Sequence, residues 1–270
     1  MPFVDIGPAP KLEECYWYHS FDFPDGKTVH GDWDLRGRFS DYTGGIDLRG
    51  KRVLDVGTAS GFLAFGAERA GARQVVSYDM PINGNWDTVP MADEPVANLS
   101  AAAIEVRLHQ RRLSEATRYK RENAIARMRK GYFYAHRMHA SQVRLFEGSV
   151  YAIDEAVGVF DVSIVGAILL HLRDPFLALH KIAQVTVSHL VIADLLPPHF
   201  SAMAEGKPLL EFIPHVGRKD MHAWWRLSRG ALENMLRVVG FQIESSAVHT
   251  YKFQGANSEM QTVVARRIAV

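Results

Sequence analysis

The sequence predicts a doubly wound α/β fold, with seven strands in a mostly parallel sheet, an aromatic N-terminal cap and a long helical insertion after the second strand. Three observations predict it. The apolar run Arg52–Val56 turns through small residues into the helical pattern 61–70, ended by Gly71. A second apolar run, 74–79, follows and closes on Asp79. From there, short apolar runs alternate with helical patterns to the end of the chain, which implies parallel strands with helices on both faces.

The elements follow in order. Residues 1–45 are rich in aromatics, Gly and Asp but have no clean periodicity. They read as an irregular cap with a short helix. After the second strand, roughly 60 residues precede the third, Val143–Glu147, where one crossover helix would suffice. Within that insertion, 83–141, the stretches 101–130 and 131–142 are helical in pattern. Residues 105–130 hold nine Arg or Lys against Glu105, Glu115 and Glu122. An amphipathic solvated or dimer-forming helix and a basic lid over an anionic substrate or RNA both fit this pattern. Strand four is Phe160–Val165, followed by a helix from Pro175 to Gln184. Strand five, Leu190–Asp194, is stopped by Pro197-Pro198. Residues 197–226 read as a further cap segment. A helix over 227–239 ends at Gly240, and strands six and seven, 241–248 and 260–266, suggest an antiparallel edge. The whole chain, 1–270, reads as a single domain.

Bulk properties narrow the class. The 47% apolar and 23% charged composition is that of a soluble globular protein. A net charge of +1 gives no global attraction to nucleic acid or to a membrane surface. The single cysteine, Cys15, allows no internal disulfide and fits a reducing cytoplasm. No basic-then-apolar leader is visible, and the apolar run 159–172 carries Asp161 and His171, so it reads as a strand and turn. Cytoplasmic localisation, with no membrane partner, is the expectation.

The chemistry concentrates at Asp55-Val56-Gly57-Thr58-Ala59-Ser60-Gly61. A strand, a tight Gly turn and a helix N-terminus let backbone N–H groups approach a ligand closely. Asp79, at the tip of the second strand, suits two ribose hydroxyls, so the pair marks a nucleotide or nucleoside site. The spacing departs from the G-x-G-x-x-G of dinucleotide binders, which disfavours an NAD-binding oxidoreductase. A non-catalytic protein that keeps the fold remains an alternative.

The Asp55–Gly61 spacing resembles motif I of class I S-adenosylmethionine-dependent methyltransferases, with Ala59 in place of the usual middle glycine. The resemblance implies S-adenosyl-L-methionine as cofactor, held by Asp55, Gly57, Thr58, Ala59, Ser60 and Gly61, by Asp79 and Met80, by Ser149 and Val150 after strand three, and by Gly166 after strand four. In that family an acidic residue near the adenine amino group is usual where Ser149 stands here. Blocks at Asp32-Trp33-Asp34, 53–61, 169–175 and 227–241 are similar to the tRNA wobble-uridine carboxymethyltransferase family. Two of that family's features differ: its tyrosine before the turn His is Leu170 here, and its N-terminal extension with a carboxylate-binding lysine is not seen. The expectation is therefore the unmodified methyl donor and methyl transfer to an O or N atom of a small-molecule acceptor. A tRNA-modifying enzyme is the alternative.

Methyl transfer needs positioning and, for a hydroxyl or a protonated amine, a general base. His171 is the first candidate and His19 the second. Tyr18, Trp33, Arg36, His136 and the Trp224-Trp225 pair are the candidate acceptor-binding residues. His136 and His139 lack a partner acid at metal spacing, so no metal is expected. A homodimer is compatible with the basic helix.

Overall fold

In this chain the runs rich in Val, Ile and Leu are strands buried on both faces. The computed structural model describes residues 3–82, 87, 123–214 and 223–268. The N-terminal segment contributes β1 (Phe3–Val4), β2 (Phe21–Asp22), β3 (Thr28–Val29), β4 (Trp33–Asp34) and the single-turn α1 (Phe39–Tyr42). Then come β5 (Arg52–Val56), α2 (Phe62–Arg69) and β6 (Gln74–Asp79). Residues 123–138 are helical (α3) and lead into β7 (Arg144–Glu147). The chain continues with β8 (Phe160–Gly166), α4 (Pro175–Gln184), β9 (Thr186–Leu195) and α5 (Pro198–Met203). It ends with β10 (Leu210–Phe212), β11 (Trp225–Leu227), α6 (Arg229–Val238), β12 (Phe241–Phe253) and β13 (Ala256–Arg267).

Among the described residues the main sheet has nine strands rather than seven, in the order β1-β7-β6-β5-β8-β9-β13-β12-β4. The five from β7 to β9 are mutually parallel, and the flanking pairs are antiparallel. The two additional strands, β1 and β4, are two residues each and sit at the two edges. Two residues carry no readable alternation; they are recruited by the edge they pair with. The last strand also departs from expectation. β13 lies inside the sheet between β9 and β12, so β12 and β4 form that edge. Both hairpin strands run longer than the sequence pattern suggests: β12 continues past Val248 to Phe253, and β13 begins at Ala256, four residues before Met260.

The helices begin where their caps dictate. Asp174 accepts from the Leu177 N–H with Pro175 at the first helical position of α4, and Ser228 accepts from the Ala231 N–H at the start of α6. One apolar core packs α2, α3 and the N-terminal segment on one face of the sheet; another packs α4 and α6 on the other. The insertion predicted over 83–141 is described only at Asp87 and from residue 123. There a single helix replaces the two predicted on either side of residue 130, and most of the Arg-rich stretch lies outside the described residues.

Two features bring the N-terminal segment to the sheet's C-terminal end. The β12–β13 hairpin turns at Gln254-Gly255, both at positive φ, as a tight two-residue hairpin requires. Its tip is held by β4, with Phe253 opposite Trp33 and the Gln254 N–H donating to the Asp32 carbonyl at 2.6 Å. Upstream, the Tyr16 and Trp33 N–H groups bond the Arg127 and Tyr18 carbonyls. Among the described residues no helix is long and apolar enough to cross a membrane.

Candidate functional site

The strand order reverses between β5 and β8: the chain runs outward from β5 through β6 to β7, then returns to β8. Such a switch point opens a crevice at the carboxyl ends of the strands. The loop after β5 fills it. Gly57, Ala59 and Gly61 all have positive φ. A Cβ on Gly57 would stand 2.2 Å from Ile168 Cγ2, so only glycine lets this loop meet the turn after β8. Ala59 takes the left-handed conformation at φ +50, which costs a non-glycine residue roughly 1 kcal/mol. Its N–H donates to Asp79 Oδ2 at 3.1 Å, a charge-assisted bond that offsets the strain.

A cavity of about 850 Å³ occupies this crevice and extends over it. At one end Asp79, Met80, Ser149 and Val150 form the wall. Gly57, Ala59, Gly166 and Ile168 form the middle. His171, Leu195, Trp225 and Phe253 stand at the other end, with Tyr18 and Trp33 closing from the N-terminal segment. Trp33 lies 4.8 Å from Phe253, centroid to centroid, and its Nε1 donates to the Tyr18 hydroxyl at 3.2 Å.

Asp79 carries the polar end. Its Oδ1 accepts the Met80 N–H at 2.8 Å and its Oδ2 the Ala59 N–H. A carboxylate has about four lone-pair sites, so acceptor capacity remains toward the cavity. Burial pushes its carboxyl up, and the Arg129 guanidinium holds it down in part. Arg129 is buried, with Nη2 3.7 Å from Asp79 Oδ2 and 3.1 Å from the Met80 carbonyl, and Nη1 3.0 Å from Glu147 Oε1.

Asp55 lies beneath the loop, wholly buried, and does not line the cavity. The Tyr132 hydroxyl donates to Ser77 Oγ, Ser77 to Thr58 Oγ1, and Thr58 to Asp55 Oδ2, at 3.0, 3.0 and 2.7 Å. The direction of each bond follows from the carboxylate end, which only accepts. Burial pushes the Asp55 carboxyl up to about 7, against the Thr58 hydroxyl and the Ala64 N–H, which lower it.

Several residues expected at the site serve elsewhere. Thr58 and Ser60 are buried and turn their hydroxyls to Asp55 and His19, so they order the loop rather than face the cavity. Gly61 caps α2, and the space a side chain would need is taken by Phe65 and Tyr132. Arg36 is paired with Asp22 and Asp34 at 2.8 and 2.6 Å, away from the cavity lining. His136 is buried against the Val143 carbonyl at 2.8 Å and also lies outside the lining, because its helix face packs on Phe65. Of the tryptophan pair, Trp225 lines the cavity and donates to the Arg173 carbonyl. Trp224 backs the Leu170 turn, its N–H bonded to the Leu170 carbonyl and its Nε1 to that of Asp87. His171 lines the cavity in a 3₁₀ turn over Leu169–His171. His19 is buried, and burial pushes it down to about 3, so it is neutral and too weak a base for proton abstraction.

Sequence reasoning missed Arg129, Tyr132, Asp87 and Asp194. Arg129 is one of nine basic residues in its stretch, and only the Tyr three positions on, on the same helix face, hints at its inward direction. Asp87 gathers the Tyr151 hydroxyl, the Arg173 N–H and the Trp224 indole at the cavity wall. Asp194, the next-to-last residue of β9, is buried, and burial pushes its carboxyl up to about 7 against the Leu195 and Leu170 N–H groups, which lower it.

No family model matches the chain. A stretch of 76 residues is 41% identical to the ubiquinone biosynthesis O-methyltransferase of Neisseria meningitidis serogroup C, covering 28% of this chain and 30% of that protein. A stretch of 50 residues is 52% identical to the ribosomal protein L11 methyltransferase of Deinococcus radiodurans, covering 18% and 16%. The chain thus matches less than a third of the length of either relative. Over the whole chain the likeness is structural. The N-terminal domain of EvdMO1 with bound S-adenosylhomocysteine matches with a TM-score of 0.55 at 16% identity, over 95% of this chain and 93% of that one. The chain has the fold of the class I methyltransferases. An S-adenosylmethionine-dependent methyltransferase from Methanosarcina mazei shares this methyltransferase fold at a TM-score of 0.51 and 13% identity, over 88% of this chain and 100% of that one. The 1,6-didemethyltoxoflavin-N1-methyltransferase of Burkholderia thailandensis shares it at 0.50 and 15%, over 87% and 78%.

Proposed function

We propose that the chain is an S-adenosylmethionine-dependent methyltransferase that methylates an O or N atom of a small, largely apolar acceptor. One observation carries this reading. A single cavity joins a nucleoside-binding end at Asp79 to an aromatic and apolar end at Trp225 and Phe253, with the glycine-lined neck of Gly57 and Gly166 between them. Its volume of about 850 Å³ is at the upper end of the range for small-molecule sites. The local likeness to methyltransferase sequences falls in with this reading.

The residues present fit the cofactor. Asp79 offers free acceptor sites for a vicinal diol, Val150 offers an apolar surface for the base, and Ser149 a hydroxyl beside it. Gly57 and Gly166 line the neck without side chains, and a Cβ at either would press on its neighbours, Ile168 at the first and Leu63 and Tyr42 at the second. When bound, the cofactor supplies a methyl group activated on a sulfonium. The protein's part is then to orient the acceptor in line and to exclude water, which Trp33, Phe253 and Trp225 do as an apolar wall. His171, in the acceptor half, takes the proton of a hydroxyl acceptor.

Calorimetry with S-adenosylmethionine, S-adenosylhomocysteine and NADH tests the donor. Binding of the first two and not the third is expected, and Asp79→Ala is expected to weaken it more than about tenfold in a folded protein. NADH binding alone, or unchanged affinity in Asp79→Ala, would overturn the assignment. Labelled-methyl transfer to a panel of phenols and amines tests the acceptor; transfer to tRNA and to none of the panel would overturn that half.

A further inference from the structure

Among the described residues lining the large cavity, Asp79, Asp87 and Arg226 carry a permanent charge. Asp79 belongs to the donor end, and the Asp87 carboxylate is engaged by the Tyr151 hydroxyl and the Arg173 N–H. Arg226 is the cation, and it stands beside Trp225 in β11, at the acceptor end. In a cavity walled mainly by apolar and aromatic side chains, such isolated polar groups fix the orientation of a ligand.

The hydrogen bonds of Arg226 leave part of it available. Glu211, its register partner on β10, accepts from Arg226 Nη1 at 2.6 Å through Oε2. A guanidinium is a planar fork, and this bond engages one corner of it. The edge formed by Nε and Nη2 makes no hydrogen bond among the described residues, and neither nitrogen is sealed off from a ligand. An edge of that shape takes a carboxylate with two parallel hydrogen bonds. The Arg226 and Glu211 side chains are 20% and 35% exposed, so the pair is partly in water and holds its members weakly.

The backbone sets the place of Arg226 relative to the reacting end. The Trp224 N–H donates to the Leu170 carbonyl at 2.7 Å, next to His171, and the Trp225 indole donates to the Arg173 carbonyl at 3.1 Å. The chain entering β11 therefore runs beside the turn that carries His171. Arg226 is two residues beyond Trp224 in extended backbone, a rise of roughly 7 Å. That offset is about the span of one substituted benzene ring. The surfaces at this end suit such a ring. Trp225, Trp33 and Phe253 offer aromatic faces and edges, and Leu170 and Ile213 belong to an apolar cluster that also lines the cavity.

We propose that the acceptor is an aromatic carboxylate, its acid group held by the Nε–Nη2 edge of Arg226 and its ring against Trp225 and the Trp33–Phe253 pair. The proposal rests on the methyl-transfer reading above and names the class of acceptor. The hydroxyl or amino group that receives the methyl lies at the other end of the ring, toward His171. Arg226 then decides which acceptor is taken and which way round it lies, and has no part in the chemical step.

The test supplies S-adenosylmethionine with hydroxy- and amino-substituted phenylacetates, cinnamates and naphthoates, each beside its methyl ester. The ester keeps the ring and removes the charge, so the readout is kcat/KM for acid over ester. Wild type is expected to favour the acid at least about tenfold. Arg226→Gln is expected to bring the ratio to about one, chiefly through KM, and Arg226→Lys, which keeps the charge without the fork, to give an intermediate ratio. Glu211→Gln removes the competing carboxylate and is expected to raise the ratio. A wild-type ratio near one would overturn the proposal. So would a ratio that falls as far in Glu211→Gln as in Arg226→Gln, which would make the pair a brace of the β10–β11 hairpin. A methyl ester as the product formed from the acids would overturn it too, since the carboxylate would then be the reacting group. Wild type that binds S-adenosylmethionine by calorimetry and methylates no member of the panel would overturn the acceptor class and leave the donor reading standing. Wild type that does not bind S-adenosylmethionine would overturn that reading itself.

Discussion

Replacing Arg129 by Met separates the charge of α3 from its packing. The stem of the side chain is conserved in volume, and only the guanidinium is lost. That group lies 3.0 Å from Glu147 and 3.7 Å from Asp79, at 3% exposure. Asp79 and Glu147 are register partners on β6 and β7, so without Arg129 two carboxylates face each other across neighbouring strands. Breaking a buried pair by removing one member costs about 3–5 kcal/mol. The Glu147 side chain keeps 24% of its exposure, which places this case at the low end, about 3 kcal/mol. In a domain of this size that lowers Tm by roughly 6–10 °C. The pH dependence has a definite sign. Arg129 lowers the Asp79 pKa against burial, so its loss raises the folded-state value further above the unfolded one. A group with a raised folded pKa stabilises when protonated and loses that contribution as pH rises through it. The penalty is therefore larger at pH 8 than at pH 5.5, and adding Glu147→Gln should recover about 1 kcal/mol of it. Urea unfolding of the four species of the double-mutant cycle at both pH values measures this. A variant within about 0.5 kcal/mol of wild type at pH 8, or a penalty that grows on acidification, would refute the role assigned to Arg129.

Two further outcomes are expected. Asp194 titrates near 7 in the folded protein against 3.8 for its ordinary value, so its contribution to stability is complete below about pH 4 and is lost as pH rises toward 7. Asp194→Asn should match wild type near pH 4 and exceed it by roughly 2–4 kcal/mol at pH 8, and parallel unfolding profiles from pH 4 to 8 would contradict this. His171→Ala should lower turnover of a hydroxyl acceptor about 10²-fold with cofactor affinity unchanged; a loss of cofactor affinity alone would make the residue a support of its turn.

The parts of the fold that were legible are those where local and global demands coincide. The parallel strands β5, β6 and β8 are apolar on both faces, so their runs stand out in the sequence within a residue of the observed bounds. The strands β1 and β4 are two residues long and owe their conformation to the strands they join, which no local pattern reveals. At the cavity, Gly57 and Asp79 lie in its lining, where a tight turn and a strand tip put them. Motif position does not say on which side of the loop a hydroxyl points; here those of Thr58 and Ser60 both point inward, to Asp55 and His19. His136 shows the converse. An aromatic, histidine-bearing helix reads as a binding face, but the same rings pack on Phe65 and Tyr132 in the core.

The site is assembled from segments far apart in sequence, and the N-terminal one is held in place by the elements it completes. The His19 N–H bonds Ser60 in the loop after β5, Asp32 and Trp33 pair with the tip of the β12–β13 hairpin, and Arg127 of α3 holds the Glu14 and Cys15 carbonyls. These three anchors come from three different elements, so the position of Tyr18 and Trp33 over the cavity is over-determined. Tyr18 lines the large cavity and the small one beside it, and its hydroxyl accepts from the indole N–H of Trp33, whose ring packs at a tilt against Phe253. Tyr18 and Trp33 are joined twice, by the Trp33 N–H to the Tyr18 carbonyl at 2.8 Å and by the Trp33 indole to the Tyr18 hydroxyl at 3.2 Å, so a displacement of one carries the other.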